Sequence, residues 1–148
     1  MNAVTVAVPW GEGADVAVVE QTLDANPGVT AILGQVSETS TGAVHPVREL
    51  AALAQKRGVM FIADGVSSVS ISPCPMDEWG VDCLLPGSQK GLRMPPGLPS
   101  TPRSPTAWAK RVRLGGRDFS FNMFQQRDHP ARTTTCFTPG INAIYALH

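Results

Sequence analysis

The chain has little cysteine, few aromatics, no net charge and no long apolar run. Its three cysteines, Cys74, Cys83 and Cys136, are odd in number and form no CxxC pair. They argue for neither a disulfide framework nor a zinc site, and a reducing cytoplasm is the expected setting. Hydrophobic residues make up 43% of the sequence, yet none of their runs approaches the ~18 residues of a membrane span. A soluble globular chain with no membrane partner is expected. The opening Met-Asn-Ala-Val-Thr has neither the basic nor the apolar region of a secretory signal, and the closing Ala-Leu-His is not a peroxisomal address. The histidines, His45, His129 and His148, show no metal-ligand spacing, so no metal is expected.

The zero net charge is unevenly spread. Residues 1–90 hold four basic and ten acidic side chains, and residues 91–148 hold eight basic and two acidic. No basic stripe with interleaved aromatics accompanies this, so the asymmetry reads as solvated surface and a contact face, not a nucleic-acid site. The length, 148 residues, suits one ordinary domain core.

What is present is an alternation of strand and helix. Val4 to Val8 is a short apolar run ended by Pro9. Asp15 can cap a helix carrying Val16, Val19 and Leu23 on one face and stopping at Asn26-Pro27-Gly28. Val29 to Val36 reads as a buried strand, and Ser37 to Ala43 as a polar loop. Pro46 can open a helix with Leu50, Leu53 and Ala54 at helical spacing, and Gly58 can stop it. Val59 to Ala63 is a continuous apolar strand ending on Asp64, and Asp82 to Leu85 is a shorter one. This order predicts an α/β fold with a mainly parallel sheet and helices on both faces. From Leu98 to Pro105 prolines, which cannot donate to a ladder, break the pattern and argue against a central strand there. Ser104-Pro105 and Thr138-Pro139 each look like a helix start, with Trp108 and Val112 on the apolar side of the first.

In such sheets ligands sit beyond the carboxyl ends of the strands. Three candidates follow strand ends: Thr39, Asp64 and Lys90. A lysine in the small-residue loop Gly87-Ser88-Gln89-Lys90-Gly91 suits Schiff-base chemistry, since desolvation or a neighbouring cation can activate an amine. The only other lysines, Lys56 and Lys110, fall on polar helix faces. An aspartate at a strand end suits a pyridinium nitrogen. Those two groups are what a pyridoxal 5′-phosphate (PLP) enzyme most needs. Taken alone, each has a plain alternative: a surface lysine, a turn-capping aspartate, a Ser/Thr-rich turn.

The stretches Glu38-Thr39-Ser40-Thr41-Gly42, Phe61-Ile62-Ala63-Asp64-Gly65-Val66-Ser67-Ser68 and Ser88-Gln89-Lys90-Gly91, followed by Pro95-Pro96-Gly97, resemble the class V aminotransferases. Their alanine/serine–glyoxylate (or pyruvate) branch is the nearest. The resemblance implies part of the large domain of the PLP-dependent transferase fold type I. It implies PLP as cofactor, small amino-acid and 2-oxo-acid substrates, and a homodimer. It makes Lys90 the catalytic residue that holds the cofactor aldehyde, and Asp64 the partner of the ring nitrogen. Val66 would pack on the ring, Thr39 would bond its phenolic oxygen, and Gln89 would contact the phosphate. Thr138 resembles a position that reaches the phosphate of the neighbouring subunit, or else is a plain helix cap. A histidine frequent just upstream of the Thr39 motif is absent; Val36 and Ser37 stand there. Gln89 separates this branch from the desulfurases, where a histidine usually precedes the lysine. Family members are more than twice as long, so the resemblance also implies that a glycine-rich phosphate loop, a stacking aromatic and a substrate-binding arginine are not in this sequence. Amino transfer by an incomplete enzyme, an inactive remnant, and another class V chemistry such as a lyase all stay open at this point.

Overall fold

The structure, a computed structural model, describes residues 2–98, 100–114, 129, 134–135 and 138–147, with backbone alone at 111–114. In chain order the elements are α1 (Val16–Ala25), β1 (Ala31–Gln35), α2 (Val47–Arg57), β2 (Met60–Asp64), α3 (Met76–Trp79), β3 (Cys83–Leu85), α4 (Pro105–Leu114) and α5 (Ile141–Leu147). The three strands form one parallel sheet in the order β1-β2-β3.

Local chemistry sets the helix ends. The Asp15 carboxylate accepts the Ala17 N–H at 2.8 Å and caps α1. Pro46 opens α2, and Gly58 closes it in the left-handed region at φ 66°, its N–H reaching the carbonyls of Ala54 and Gln55. Glu49 lies in the first turn of α2 and Lys56 and Arg57 in the last, which complements the helix dipole. Lys56 and Arg57 then reach Glu20 and Asp24 on α1 and tie the two helices at their exposed rims.

The apolar pattern sets the packing. Helix α2 lies on β1 and β2, flanked by α1 and α3. Phe61 and Ala63 of β2 and Leu84 of β3 point into this layer, with Leu50, Ala51, Leu53 and Ala54 opposite them. Gly34 of β1 lies beside the Phe61 ring, where an added Cβ would meet Phe61 Cε2 at an ordinary contact distance of 3.5 Å. The other face carries Leu33, Ile62 and Cys83 in register, and Leu33 is 65% exposed. Phe61 has no exposed surface and stands at the centre of the core. Phe61→Ala is expected to cost about 3–5 kcal/mol, a large share of the ~5–15 kcal/mol a domain has. Urea unfolding measures this; a loss under ~1 kcal/mol would mean that the core does not centre on this ring.

Two stretches differ from simple strands. Val4 to Val8 forms no strand; Val6 packs against the core, while Val4 is half exposed. Val6 is held by packing, without a ladder among the described residues. The proline-rich stretch is irregular, as expected, yet it still borders the sheet. Arg103 makes an isolated antiparallel bridge with Cys83, and Leu84 donates to the Pro102 carbonyl at 3.2 Å. A proline can serve an edge in this way, because only its carbonyl is needed. Ser104 then caps α4, accepting the Ala107 N–H at 3.1 Å and donating to the buried Asp82 carboxylate at 2.6 Å.

Candidate active site at the carboxyl edge of the sheet

Gln35, Asp64 and Leu85 are in register at the carboxyl ends of the three strands. The loop that follows each end carries one of the candidate groups: Thr39 after β1, Val66 after β2, Lys90 after β3. Parallel pairing therefore brings residues far apart in sequence to one edge.

The loop after β1 folds back on itself. Glu38 N–H donates to the Ala43 carbonyl, Gly42 N–H donates to the Glu38 carbonyl, and Ser37 bridges Val44. Gly42 takes φ 75°, which a side chain would resist. The Glu38 carboxylate accepts the Ser40 hydroxyl at 2.6 Å and the Ser40 N–H at 2.9 Å. The hydroxyl first, and then the N–H, hold its carboxyl below the usual range. A depressed folded pKa adds stability above the unfolded value of ~4.3, and that stability is lost as pH falls through the folded value. An NMR titration of Glu38 is expected to give a midpoint below ~4.3. A midpoint at or above it would show that Ser40 does not hold the carboxylate.

Asp64 is half-buried at the end of the central strand. One carboxylate oxygen accepts the Val66 N–H at 2.9 Å, and the other has no hydrogen-bond partner among the described residues. Gly65 is hemmed in, since a Cβ would sit 2.7 Å from Val69 Cγ2 and 2.9 Å from Leu84 Cδ1. Two hydroxyl pairs join this turn to the loop after β1: Ser37 with Ser68 and Thr39 with Ser67, each at 2.7 Å. Ser68 is buried, and the Thr39 pair is exposed.

The lysine loop is closed by Ser88. This buried hydroxyl donates to the Pro95 carbonyl at 2.8 Å and accepts the Leu98 N–H at 3.3 Å, while the Ser88 carbonyl accepts the Met94 N–H. Arg93, at φ 55°, donates its N–H to the Lys90 carbonyl. Gly87 abuts the Asp64 turn: a Cβ on it would lie 2.9 Å from Val66 Cγ1 and 3.3 Å from Gln89 Oε1. Gly91 abuts the same turn further on, where a Cβ would lie 2.1 Å from the Val69 carbonyl oxygen. Gly91→Ala must therefore move backbone beside Lys90. A loss of about 1–3 kcal/mol in urea unfolding is expected, and no measurable loss would show that the loop is not pressed against Val69.

The structure thus joins Thr39, Asp64, Val66 and Gln89 through direct contacts of their loops. Lys90 and Gln89 are exposed on that edge. The other lysines are engaged elsewhere: Lys56 with Glu20, and Lys110 with the Gly58 carbonyl. Thr138 is exposed just ahead of α5, and no described contact joins it to the three loops. Ser67, Ser68 and Ser88 stand inside the motifs quoted from the sequence but have no role assigned there, since a serine beside a singled-out residue shows nothing of its partner. Burial pushes the thiols of Cys74 and Cys83 up, which makes both poor nucleophiles. Two cavities open at the amino ends of the strands instead, the larger about 690 Å³ and lined in part by Leu23, Val29, Arg57, Met60 and Lys110.

Known proteins resemble this chain over nearly all of its length. The family model described as Aminotransferase class-V matches residues 6–148. The soluble hydrogenase 42 kDa subunit of Anabaena cylindrica is 32% identical over 100% of this chain and 39% of its own length. The serine–glyoxylate aminotransferase of Arabidopsis thaliana is 38% identical over 99% of this chain and 38% of its own. The solved alanine–glyoxylate aminotransferase of Nostoc superposes with a TM-score of 0.82 at 28% identity, covering 96% of this chain and 38% of that one. The chain therefore spans under two-fifths of the length of these relatives.

Proposed function

This chain belongs to the class-V aminotransferases, and from that membership we propose that its carboxyl edge is the cofactor-holding part of a PLP-dependent amino transfer. The fold it serves would move an amino group between alanine or serine and glyoxylate or pyruvate. In this reading residues 1–148 are part of the large domain, and the dimer of the resemblance is kept as part of the proposal. The observation that carries it is the junction of three loops, after β1, β2 and β3, at one strand edge.

The donor set fits PLP. The cofactor supplies an aldehyde, an electron-accepting ring, a phenolic oxygen and a phosphate. Lys90 offers an amine for the aldehyde, and the Asp64 oxygen that has no partner among the described residues offers a negative charge for the ring nitrogen. Val66, wedged against Gly87, presents methyl groups to a flat ring without a competing polar atom. Thr39 offers a hydroxyl, and Gln89 an amide. Thr138 would serve a phosphate across a subunit boundary. Between substrate and product the Lys90 amine would also carry the proton, as a positioned base can. One relative is named for a hydrogenase, but an amine, a carboxylate and hydroxyls argue for amino-group chemistry.

The exposure of Lys90, Gln89 and Thr39 favours a specific limit on the 148-residue chain by itself. An open edge does not exclude water, and amino transfer profits from a closed site. Spectral titration of the purified chain with PLP should give a saturable long-wavelength band. A coupled assay with alanine or serine and glyoxylate should give no turnover. Absence of the band would overturn the cofactor reading; clear turnover would overturn the limit.

A further inference from the structure

The loop after β1 carries three consecutive hydroxyls, and the structure uses two of them locally. Ser40 donates to Glu38, and Thr41 accepts the Ala43 N–H at 3.2 Å. Thr39 alone reaches across to the neighbouring loop, with its Oγ1 2.7 Å from Ser67 Oγ. The adjacent pair, Ser37 with Ser68, is drawn into the fold with Ser68 buried. It fixes the distance between the loops and leaves the outer pair at the edge, where Ser67 directly follows Val66 and stands three residues after Asp64.

A hydroxyl has one hydrogen to give and can accept others. Either oxygen of the Thr39–Ser67 pair can be the donor. If Thr39 donates to Ser67, it has no hydrogen for a ligand. If Ser67 donates to Thr39, the Thr39 hydrogen is released for an acceptor at the edge. An arriving phenolate oxygen is an acceptor only, so it selects the second arrangement. The bonds then run in one direction, from Ser67 to Thr39 to the ring oxygen, and each polarises the next. A bond to an ionised oxygen gains most from this.

We propose that Ser67 is a positioning residue for Thr39: it donates to Thr39 Oγ1 and so turns the Thr39 hydrogen toward the phenolic oxygen of the bound ring. This rests on the cofactor reading above. Its consequence is a shift in acid strength. A donor to the ionised form lowers the phenol pKa, and removing the polarising partner raises it again.

The test uses pyridoxine 5′-phosphate, which has the ring, phenol and phosphate but an alcohol in place of the aldehyde, so Lys90 cannot bond to it covalently. With protein in excess, ultraviolet absorbance against pH reports ionisation of the bound phenol. Ser67→Ala is expected to raise the midpoint by a few tenths of a pH unit. Ser67→Thr, which keeps the hydroxyl, should return it to the wild-type value and covers the case in which Ser67→Ala folds poorly. In a Thr39→Val background, Ser67→Ala should add nothing, an outcome that a merely structural serine would not give. A Ser67→Ala midpoint equal to wild type, with Thr39→Val shifted, would overturn the role of Ser67 and leave the cofactor site standing. A wild-type midpoint equal to that of free ligand would overturn the site, and the inference with it.

Discussion

Lys90→Ala is expected to abolish the saturable long-wavelength band that PLP forms with this chain. Any lysine can meet an aldehyde, so the expectation rests on place. Lys56 is held by Glu20, and Lys110 donates to the end of α2. Both lie away from the carboxyl edge, with Lys110 lining the cavities at the amino ends of the strands. Lys90 stands in a loop closed by Ser88 and pressed on the Asp64 turn through Gly87 and Gly91. The Ser88 latch and the two glycines are untouched by the substitution, so the variant should keep its unfolding midpoint in urea. Loss of the band with intact stability isolates the amine. A band of undiminished amplitude in Lys90→Ala would mean that PLP is held by another lysine.

The second large effect belongs to Asp64. Asp64→Asn keeps the shape of the side chain and an oxygen for the Val66 N–H. It removes the charge that would face the ring nitrogen. Hydrogen bonds to charged groups are worth about 1.5–3 kcal/mol, and affinity changes tenfold per ~1.4 kcal/mol. PLP binding should therefore weaken by about ten- to a hundredfold. The ring nitrogen of bound cofactor should also lose its proton near neutral pH, which nitrogen NMR of labelled PLP reads directly. An affinity within about twofold of wild type, with the nitrogen still protonated, would remove Asp64 from the pyridinium role.

Much of this was legible in the sequence because the signals are local. A carboxylate one residue before an apolar-periodic segment gave the α1 cap. Pro46 and Gly58 bracketed α2. A continuous apolar run ending on aspartate gave β2 and its edge residue. The motif around Lys90 could be read because its residue types are unusual together. What stayed hidden depends on distance in sequence. The Ser37–Ser68 and Thr39–Ser67 pairs span 31 and 28 residues, and a serine in a loop gives no sign of its partner. The border formed by Pro102 and Arg103 was hidden for another reason: prolines argue against a strand but not against a carbonyl at a strand edge. Val4 to Val8 had the composition of a strand, but composition does not supply a ladder partner.

The central claim is that Lys90 is the amine of a cofactor site built with Asp64 and Thr39. The most direct measurement treats the wild-type chain with PLP at equal concentration, reduces with borohydride and maps the pyridoxyl label by peptide mass spectrometry. The account predicts label on Lys90, with Lys56 and Lys110 near background, and loss of this preference when pyridoxine 5′-phosphate is present in excess. Label spread evenly over the three lysines, or unaffected by that competitor, would contradict it.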